Sequence, residues 1–410
     1  MYDYHFIIII IPGNGFANTL TIKGESGDSS LVTLEHANTA THLLFSLNNV
    51  KGVTLKDMTF DNNSSFYNSD ESFLITNCDS VNVTSCRFES NDPTINNNYY
   101  WSDILKIENS TGCNITNNDF SYSACIRLVA SSISIYNTVN ITGNTNIRGY
   151  QGINISSELN WNGALGGKFI IKNNHINGAS QPIYAYCGNG NNNDTLLLTG
   201  NTIDNGQGGD YDNNYFYFGD QDYVVVKENI FNNDNFIYVE GYVDSIVGNQ
   251  ILNVENKSAI QIYQGATFIA NNYIHTKGQL ESKAIYLSTS SSLSGTVIAH
   301  NSIENSGTAG ASSYGLYLAG DVSNITVKNN IFSTIGGGTP LFVASTLTNP
   351  DWDYNCYYTT GNSIANFNNN NYSSVSALGA AMGSDANSLK VNPFYVSNTN
   401  LTVNQSQLQT

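Results

Sequence analysis

The chain is 410 residues long with a net charge of −17, and only 11% of its residues are charged. This acidic balance argues against nucleic acid as a partner, because no basic stripe exists to meet phosphate. No apolar run reaches the ~18 residues that a membrane-spanning helix requires.

In chain order, residues 6–11 form an apolar run closed by Pro12 and Gly13, read as a first core strand. Met1 leads almost directly into it, without the basic region and small-residue cleavage site of a signal peptide. A series of related pentads follows: KDMTF (56–60), TSCRF (84–88), TNNDF (116–120), GNTNI (143–147), KNNHI (172–176) and TGNTI (199–203). It continues with KENIF (227–231), VGNQI (247–251), ANNYI (270–274), AHNSI (299–303), KNNIF (328–332) and the variant DYNCY (353–357). Their middle residues are Met58, Cys86, Asn118, Thr145, Asn174, Asn201, Asn229, Asn249, Asn272, Asn301, Asn330 and Asn355, separated by 20 to 32 residues. A repeat of this length marks stacked units that share one core. Runs such as ITVKNNI alternate apolar and polar residues as strands require, with no helical period. The recurring Asn is expected at the bend, where it tolerates left-handed backbone angles and bonds to its counterparts along the stack.

About a dozen residues ahead of each anchor lies another strand: IYAY (183–186), FYF (216–218), IYVE (237–240), IQIY (260–263), IYLS (285–288), LYLA (316–319) and LFVA (341–344). If Ile183, Phe216, Ile237, Ile260, Ile285, Leu316 and Leu341 point inward, alternation turns Tyr184, Tyr217, Tyr238, Gln261, Tyr286, Tyr317 and Phe342 outward. The same register run backwards adds Asn154, Arg127 and Lys106. Exposed rings spaced about 4.8 Å per coil nearly match the length of a sugar ring, and aromatic faces stack on apolar pyranose faces. Stacked aromatics also stabilise a sheet by cross-strand contact alone. The candidate substrate-binding set is Tyr184, Tyr186, Tyr217, Tyr238, Tyr263, Tyr286, Tyr317 and Arg127.

Three short strands and three turns per unit, each strand paired in parallel with its counterpart one turn later, satisfy this repeat. On the pentads and strands quoted, over about residues 20–358, the chain resembles the right-handed parallel β-helix proteins of the pectate-lyase-like superfold, in their secreted bacterial form. The resemblance implies an all-β, right-handed, single-stranded parallel β-helix of about 11–12 coils over residues 1–358. Residues 359–410 read as a closing segment, and the whole as a piece of a larger exported protein, monomeric or part of a longer chain. The superfold carries lyases, hydrolases, esterases, adhesins and tailspikes, so function rests on the site.

Carboxylates are densest in the middle: Asp194, Asp204, Asp210, Asp212, Asp220, Asp222, Asp234, Glu240 and Asp244. Asp220, Asp222 and Glu240 are the candidate catalytic residues, as a general acid and base for glycoside hydrolysis. In a lyase the carboxylates would instead hold Ca²⁺ against a uronate, with Arg127 or Lys106 as base. GDQD (219–222) resembles the paired-Asp segment of polygalacturonase-type hydrolases, without that family's Gly-His-Gly and Arg-x-Lys segments. Solvated turns also collect acidic residues with no catalytic role. Asp210-x-Asp212-x-Asn214 and Asp351-x-Asp353-x-Asn355 have alternate-oxygen spacing but lack a calcium loop's glycine and distal glutamate. No cofactor is assigned, and an incidental Ca²⁺ site stays open. The cysteines at 78, 86, 113, 125, 187 and 356 read as buried thiols, with a Cys78–Cys113 bridge the alternative. Sequons at Asn82, Asn114, Asn140 and Asn324 follow from the strand pattern.

Three functions fit: an extracellular or cell-surface module contacting polysaccharide along the tyrosines, a polysaccharide lyase or glycoside hydrolase, and a structural spacer or adhesin segment.

Overall fold

The computed structural model describes residues 20–24, 28–29, 32–35, 44–62, 73–90, 103–121, 125–130, 137–157, 167–186, 195–204, 215–219, 223–288, 293–308, 312–320, 322–344 and 347–408. The chain is an all-β parallel solenoid that forms two compact units, residues 1–197 with 206–213 and residues 198–205 with 214–410.

In the first unit, a sheet stacks Leu20–Lys23, Lys51–Lys56, Asp79–Thr84, Cys113–Thr116, Asn137–Thr142 and Gly167–Lys172 in parallel. A second sheet holds Thr33–Glu35, Thr59–Asn62, Arg87–Ser90 and Asp119–Ser121. A third begins with Phe45–Asn48, Phe73–Thr76, Asp103–Glu108 and Cys125–Ala130. It continues with Ile147–Ser157 and His175–Tyr186, in which the second and third strands of a coil run on as one. The second unit repeats the plan: its last full coil runs Asp351–Asp353, Cys356–Thr359, Ala365–Phe367.

Superposed register turns each inward residue into a column. Leu55, Val83, Ile115, Ile141 and Ile171 pair in succession in the first unit, all fully buried. Ile246, Ile269, Ile298, Val327 and Trp352 do the same in the second. Each such side chain contributes about 1.5–3 kcal/mol of burial. Phe60, Phe88 and Phe120 stack with centroids 5.1 and 4.8 Å apart.

The anchors form a buried amide ladder. In the second unit, each Asn from 201 to 330 donates its backbone N–H and Nδ2 to Oδ1 of the next anchor at 2.9–3.1 Å. From Asn229 on, the remaining Nδ2 hydrogen goes to a carbonyl of the preceding coil, such as Ile246 for Asn272 at 2.9 Å. Both lone pairs and both hydrogens of each internal rung are thereby used. In the first unit the ladder runs Asn118–Asn144–Asn174, and Cys86 donates its N–H to Asn118 Oδ1 at 2.9 Å.

Two expectations need correction. The rung in 143–147 is Asn144, fully buried, whereas Thr145 is exposed. One extra residue separates Asn144 from the inward Ile147, which pairs with Ile176. The left-handed residue is also not the anchor but the one before it. Asp57, Ser85, Asn117, Gly143, Asn173, Gly200, Glu228, Gly248, Asn271, His300, Asn329 and Tyr354 all have φ between 52° and 69°. That corner turns the chain and leaves the following Asn pointing inward.

The sequons of the first unit lie in an outer amide row. Asn82 donates to Thr54 Oγ1 at 3.3 Å, Asn114 to Asn82 at 2.9 Å and Asn140 to Asn114 at 3.4 Å. Cys78, Cys86, Cys113 and Cys356 are free and buried, so the Cys78–Cys113 bridge is not formed. Burial pushes the Cys86 and Cys356 thiols up to about 11 and Cys113 to about 12.

Residues beyond the last coil close the second unit. Ala365–Phe367 pairs antiparallel with Asn370–Tyr372. The helix Val375–Met382 is capped by Ser374 at its start and left-handed Gly383 at its end, and it buries Leu378 and Met382. The following stretch takes the place of another coil: Asp385 N–H donates to Trp352 O, Leu389 N–H to Asn355 O, and Tyr357 N–H to Leu389 O, at 2.8–2.9 Å. The ladder ends there too, with Asn355 donating from N–H to Ser388 Oγ at 2.7 Å and from Nδ2 to Asp385 Oδ1 at 3.4 Å. Burial raises the Asp385 carboxyl above its ordinary value.

Replacing Asn272 by Ala removes the shared acceptor of Asn249 N–H and Nδ2, together with the side-chain donor to Ile246 O and Asn301 Oδ1. The expected loss in chemical denaturation is about 3 kcal/mol or more. Thr145→Ala, outside the ladder, should stay within about 0.5 kcal/mol of the parent.

Candidate functional site

The tyrosine strand is the third strand of each coil. In the second unit, Tyr215–Gly219, Phe236–Val239, Ser258–Ile262, Ser282–Ser288, Ser313–Ala319, Thr339–Val343 and Ala365–Phe367 pair in sequence. Their register aligns Tyr217, Tyr238, Gln261, Tyr286, Tyr317, Phe342 and Asn366 in one column. The side chains of Tyr217 and Tyr186, and all of Asp220 and Asp222, lie outside the described residues.

From Tyr238 to Phe342 the half-buried rings form a continuous contact series. Tyr238 meets Tyr263 with centroids 5.5 Å apart, Tyr263 meets Tyr286 at 6.2 Å and Tyr286 meets Tyr317 at 5.2 Å, tilted or edge to face. Tyr317 and Phe342 stack at 4.3 Å with planes 10° apart. Tyr263 fills the level at which the column holds Gln261, and Gln261 Nε2 donates to its hydroxyl at 2.6 Å. Tyr238 donates to Glu240 Oε1 at 3.3 Å. Burial, then Tyr263 and Glu240, hold the Tyr238 phenol well above its ordinary value, so it stays a hydrogen-bond donor.

Strict alternation missed two members of this face. Lys283 lies over Tyr286 and Tyr317, 4.3 and 4.7 Å from their centroids, and pairs with Glu281 at 2.9 Å. Tyr314 meets Tyr317 and Phe342 edge to face at 5.1 and 5.2 Å. Both stand three residues ahead of a column tyrosine, where alternation would turn them inward. Instead, two successive residues are buried: Ala284 with Ile285, and Gly315 with Leu316. The same small-then-large pair recurs as Gly152-Ile153, Pro182-Ile183, Ala259-Ile260 and Pro340-Leu341, all buried. Crowding explains the small residue, because a Cβ on Gly315 would approach Pro340 O to 2.7 Å. This pair was the available sequence signal.

In the first unit, Lys106, Arg127, Asn154 and Tyr184 share the corresponding column. Lys106 is only 8% exposed and Asn154 2%, so these positions are covered rather than a ridge. Asn154 bonds Gln151, which donates to Gln181 at 2.7 Å. Arg127 and Tyr184 are half-buried.

Described aspartates of the middle region accept hydrogen bonds from a neighbouring coil. Asp204 accepts from Asn232 Nδ2 at 2.7 Å, Asp244 from Val224 N–H at 2.8 Å, and Asp234 from Glu255 N–H. At 351–355, Asp351 pairs with Lys328 at 2.5 Å, Asp353 accepts from Asn387 N–H and Nδ2 at 2.7 Å, and Asn355 belongs to the ladder. These oxygens face separate partners and make no calcium loop. Among the described residues, no three His, Cys, Asp or Glu side chains are grouped to hold a metal. No helix among them is long and apolar enough to cross a membrane.

A buried titratable pair sits on the second strand instead. His275 Nδ1 is 3.1 Å from Asn253 Oδ1, and Nε2 is 3.2 Å from Ser306 Oγ and 3.9 Å from Glu304 Oε1. Tyr395 joins them from the hairpin Tyr395–Ser397 and Asn400–Val403, donating to Ile303 O at 3.3 Å. Comparisons with protein-family models, with curated proteins and with solved structures return no match for this chain.

Burial, and then Lys277, lower His275 to about 4 from 6.5, so between these values the folded state binds fewer protons than the unfolded chain. Its stability contribution is present above about pH 6.5 and lost as pH falls through 4, roughly 3 kcal/mol in all. Glu304 has the opposite sign: burial raises it, so its contribution is full below 4.5 and lost as pH rises through its folded value. Denaturation measured from pH 7 to 4 should show the acid loss in the parent and a flatter profile in His275→Gln.

Proposed function

We propose that this chain is an extracellular β-helix module of the right-handed, pectate-lyase-like kind that contacts a polysaccharide along its tyrosine strand. The observation that carries the reading is the ring series Tyr238–Tyr263–Tyr286–Tyr317–Phe342. Four coil steps at about 4.8 Å give a run of roughly 19 Å, the length of about four sugar residues. The hydroxyl of Tyr238, with Glu240 beside it, and the amide of Gln261 supply polar groups along the same face. Binding of this kind would use ring edges, hydroxyls and the outward part of each ring, since the faces of Tyr317 and Phe342 are partly occupied by each other. A residual role in cleavage would fall to Glu240 with Asp220 and Asp222.

The second reading is a structural one, favoured by that same ring-to-ring packing. Aromatic pairs contribute about 0.5–1.5 kcal/mol each beyond their burial, and Lys283 over two rings adds a cation–π contact. On this reading the chain is a spacer or adhesin segment.

Affinity electrophoresis through gels containing plant, fungal and bacterial polysaccharides separates the two. At least one polymer should retard the wild type, and Tyr238→Ala with Tyr317→Ala should weaken retention by about 1 kcal/mol per ring. If no polymer retards the wild type, and both variants only lose stability, the spacer reading replaces the first. Assays for new reducing or unsaturated ends on the same polymers test cleavage.

A further inference from the structure

A groove in a different part of the second unit is lined by no residue of the tyrosine strand. The left-handed corners there hold Gly200, Glu228, Gly248, Asn271, His300, Asn329 and Tyr354. Glycine and asparagine suit that conformation, whereas a bulky aromatic at φ 56° is a genuine outlier. Backbone strain of this sort persists where something else fixes the residue, and it gathers at ligand sites. Tyr354 and His300, the two ring side chains among these corners, line the same groove.

The groove has a volume of about 460 Å³, within the range that takes small molecules. Asn329 lies between His300 and Tyr354 in the stack, and the C-terminal segment supplies the facing wall through Asn387, Leu389 and Gln407. Tyr354 is 59% exposed. Asn387 is held by Asp353, to which it donates N–H and Nδ2, each at 2.7 Å. Those bonds fix its side chain and leave Oδ1 to accept. Asn329 Nδ2 meets His300 Nε2 at 3.5 Å. None of the described lining residues carries a carboxylate, an ammonium or a guanidinium.

We propose that this groove is a subsite for one neutral pyranose ring. The apolar face of the sugar would lie on Tyr354, and its hydroxyls would donate to Asn387 Oδ1 and exchange hydrogen bonds with Asn329 and Gln407. Amides and an aromatic ring without charge suit a neutral polyol, and they offer nothing to balance a phosphate or a uronate. The strained Tyr354 is retained because its ring is the platform.

Saturation-transfer NMR on the full chain, with methyl β-glucoside, methyl β-galactoside and N-acetylglucosamine as probes at millimolar concentration, tests this. Wild type should transfer saturation to the ring protons of at least one probe. Tyr354→Asn should weaken that signal about tenfold while the thermal midpoint holds or rises, because asparagine relaxes the left-handed corner. Gln407→Ala, at an exposed position, should also weaken it and guards against a folding defect in the first variant. Tyr317→Ala should leave the signal unchanged, which separates this groove from the tyrosine strand. Absence of transfer from all three probes overturns the proposal, as does a signal that survives Tyr354→Asn or disappears only in Tyr317→Ala.

Discussion

Buried carboxamides at the corner of each coil set the terms for the rest of the molecule. An asparagine inside an apolar stack would cost several kcal/mol if any of its four hydrogen-bonding valences stayed open. Here each internal rung closes all four against the coil on either side, as Asn272 does with Asn249, Ile246 and Asn301. The requirement fixes register more tightly than hydrophobic burial can. A slip of one residue would keep apolar atoms indoors in places but would break every amide pair. The left-handed residue ahead of each rung serves the same end, because it reverses the chain sharply enough to present the next amide inward.

Much of this was legible from residue order. The pentads located the rungs and the parallel register, since a side chain that must bond to its own copy is repeated in type as well as in place. The reading slipped where a local insertion moved the rung from Thr145 to Asn144, because spacing was followed instead of hydrogen-bonding capacity. Left-handed geometry was assigned to the conspicuous asparagines. It belongs to a position that admits Asp, Ser, Gly, Glu, His and Tyr as well, and so leaves a weaker mark in the sequence. Lys283 and Tyr314 escaped notice because the strand buries two neighbours in a row, and alternation carries no information across such a step. The acidic residues were legible as a cluster but not as acceptors between coils, since an Asp that takes a hydrogen bond from a neighbouring coil and one that handles a proton look alike in one dimension.

The aromatic face shows why stacking geometry constrains what a column of rings does. Rings one coil apart lie at van der Waals distance whether or not a ligand exists, so they contact each other first. Tyr317 and Phe342 settle into parallel stacking, while Tyr263 turns across its neighbours and takes a hydrogen bond from Gln261. The face is therefore ordered before any partner arrives, and a partner would lose little to arranging it. The exposed Tyr354 stands outside that series, at a left-handed corner.

A rung that bonds to its own copy is self-templating: any coil with the same amide can serve as the next neighbour, and stacking has no internal reason to stop. At the C-terminal end of the second unit the ladder meets Ser388 and Asp385 rather than another asparagine. A hydroxyl and a carboxyl accept what Asn355 donates, yet neither offers the paired acceptor and donor that a further rung would need. The segment that follows occupies the backbone edge as well. Two side chains of different chemistry thus end the ladder at this edge of the second unit, where a further amide rung would find no matching partner.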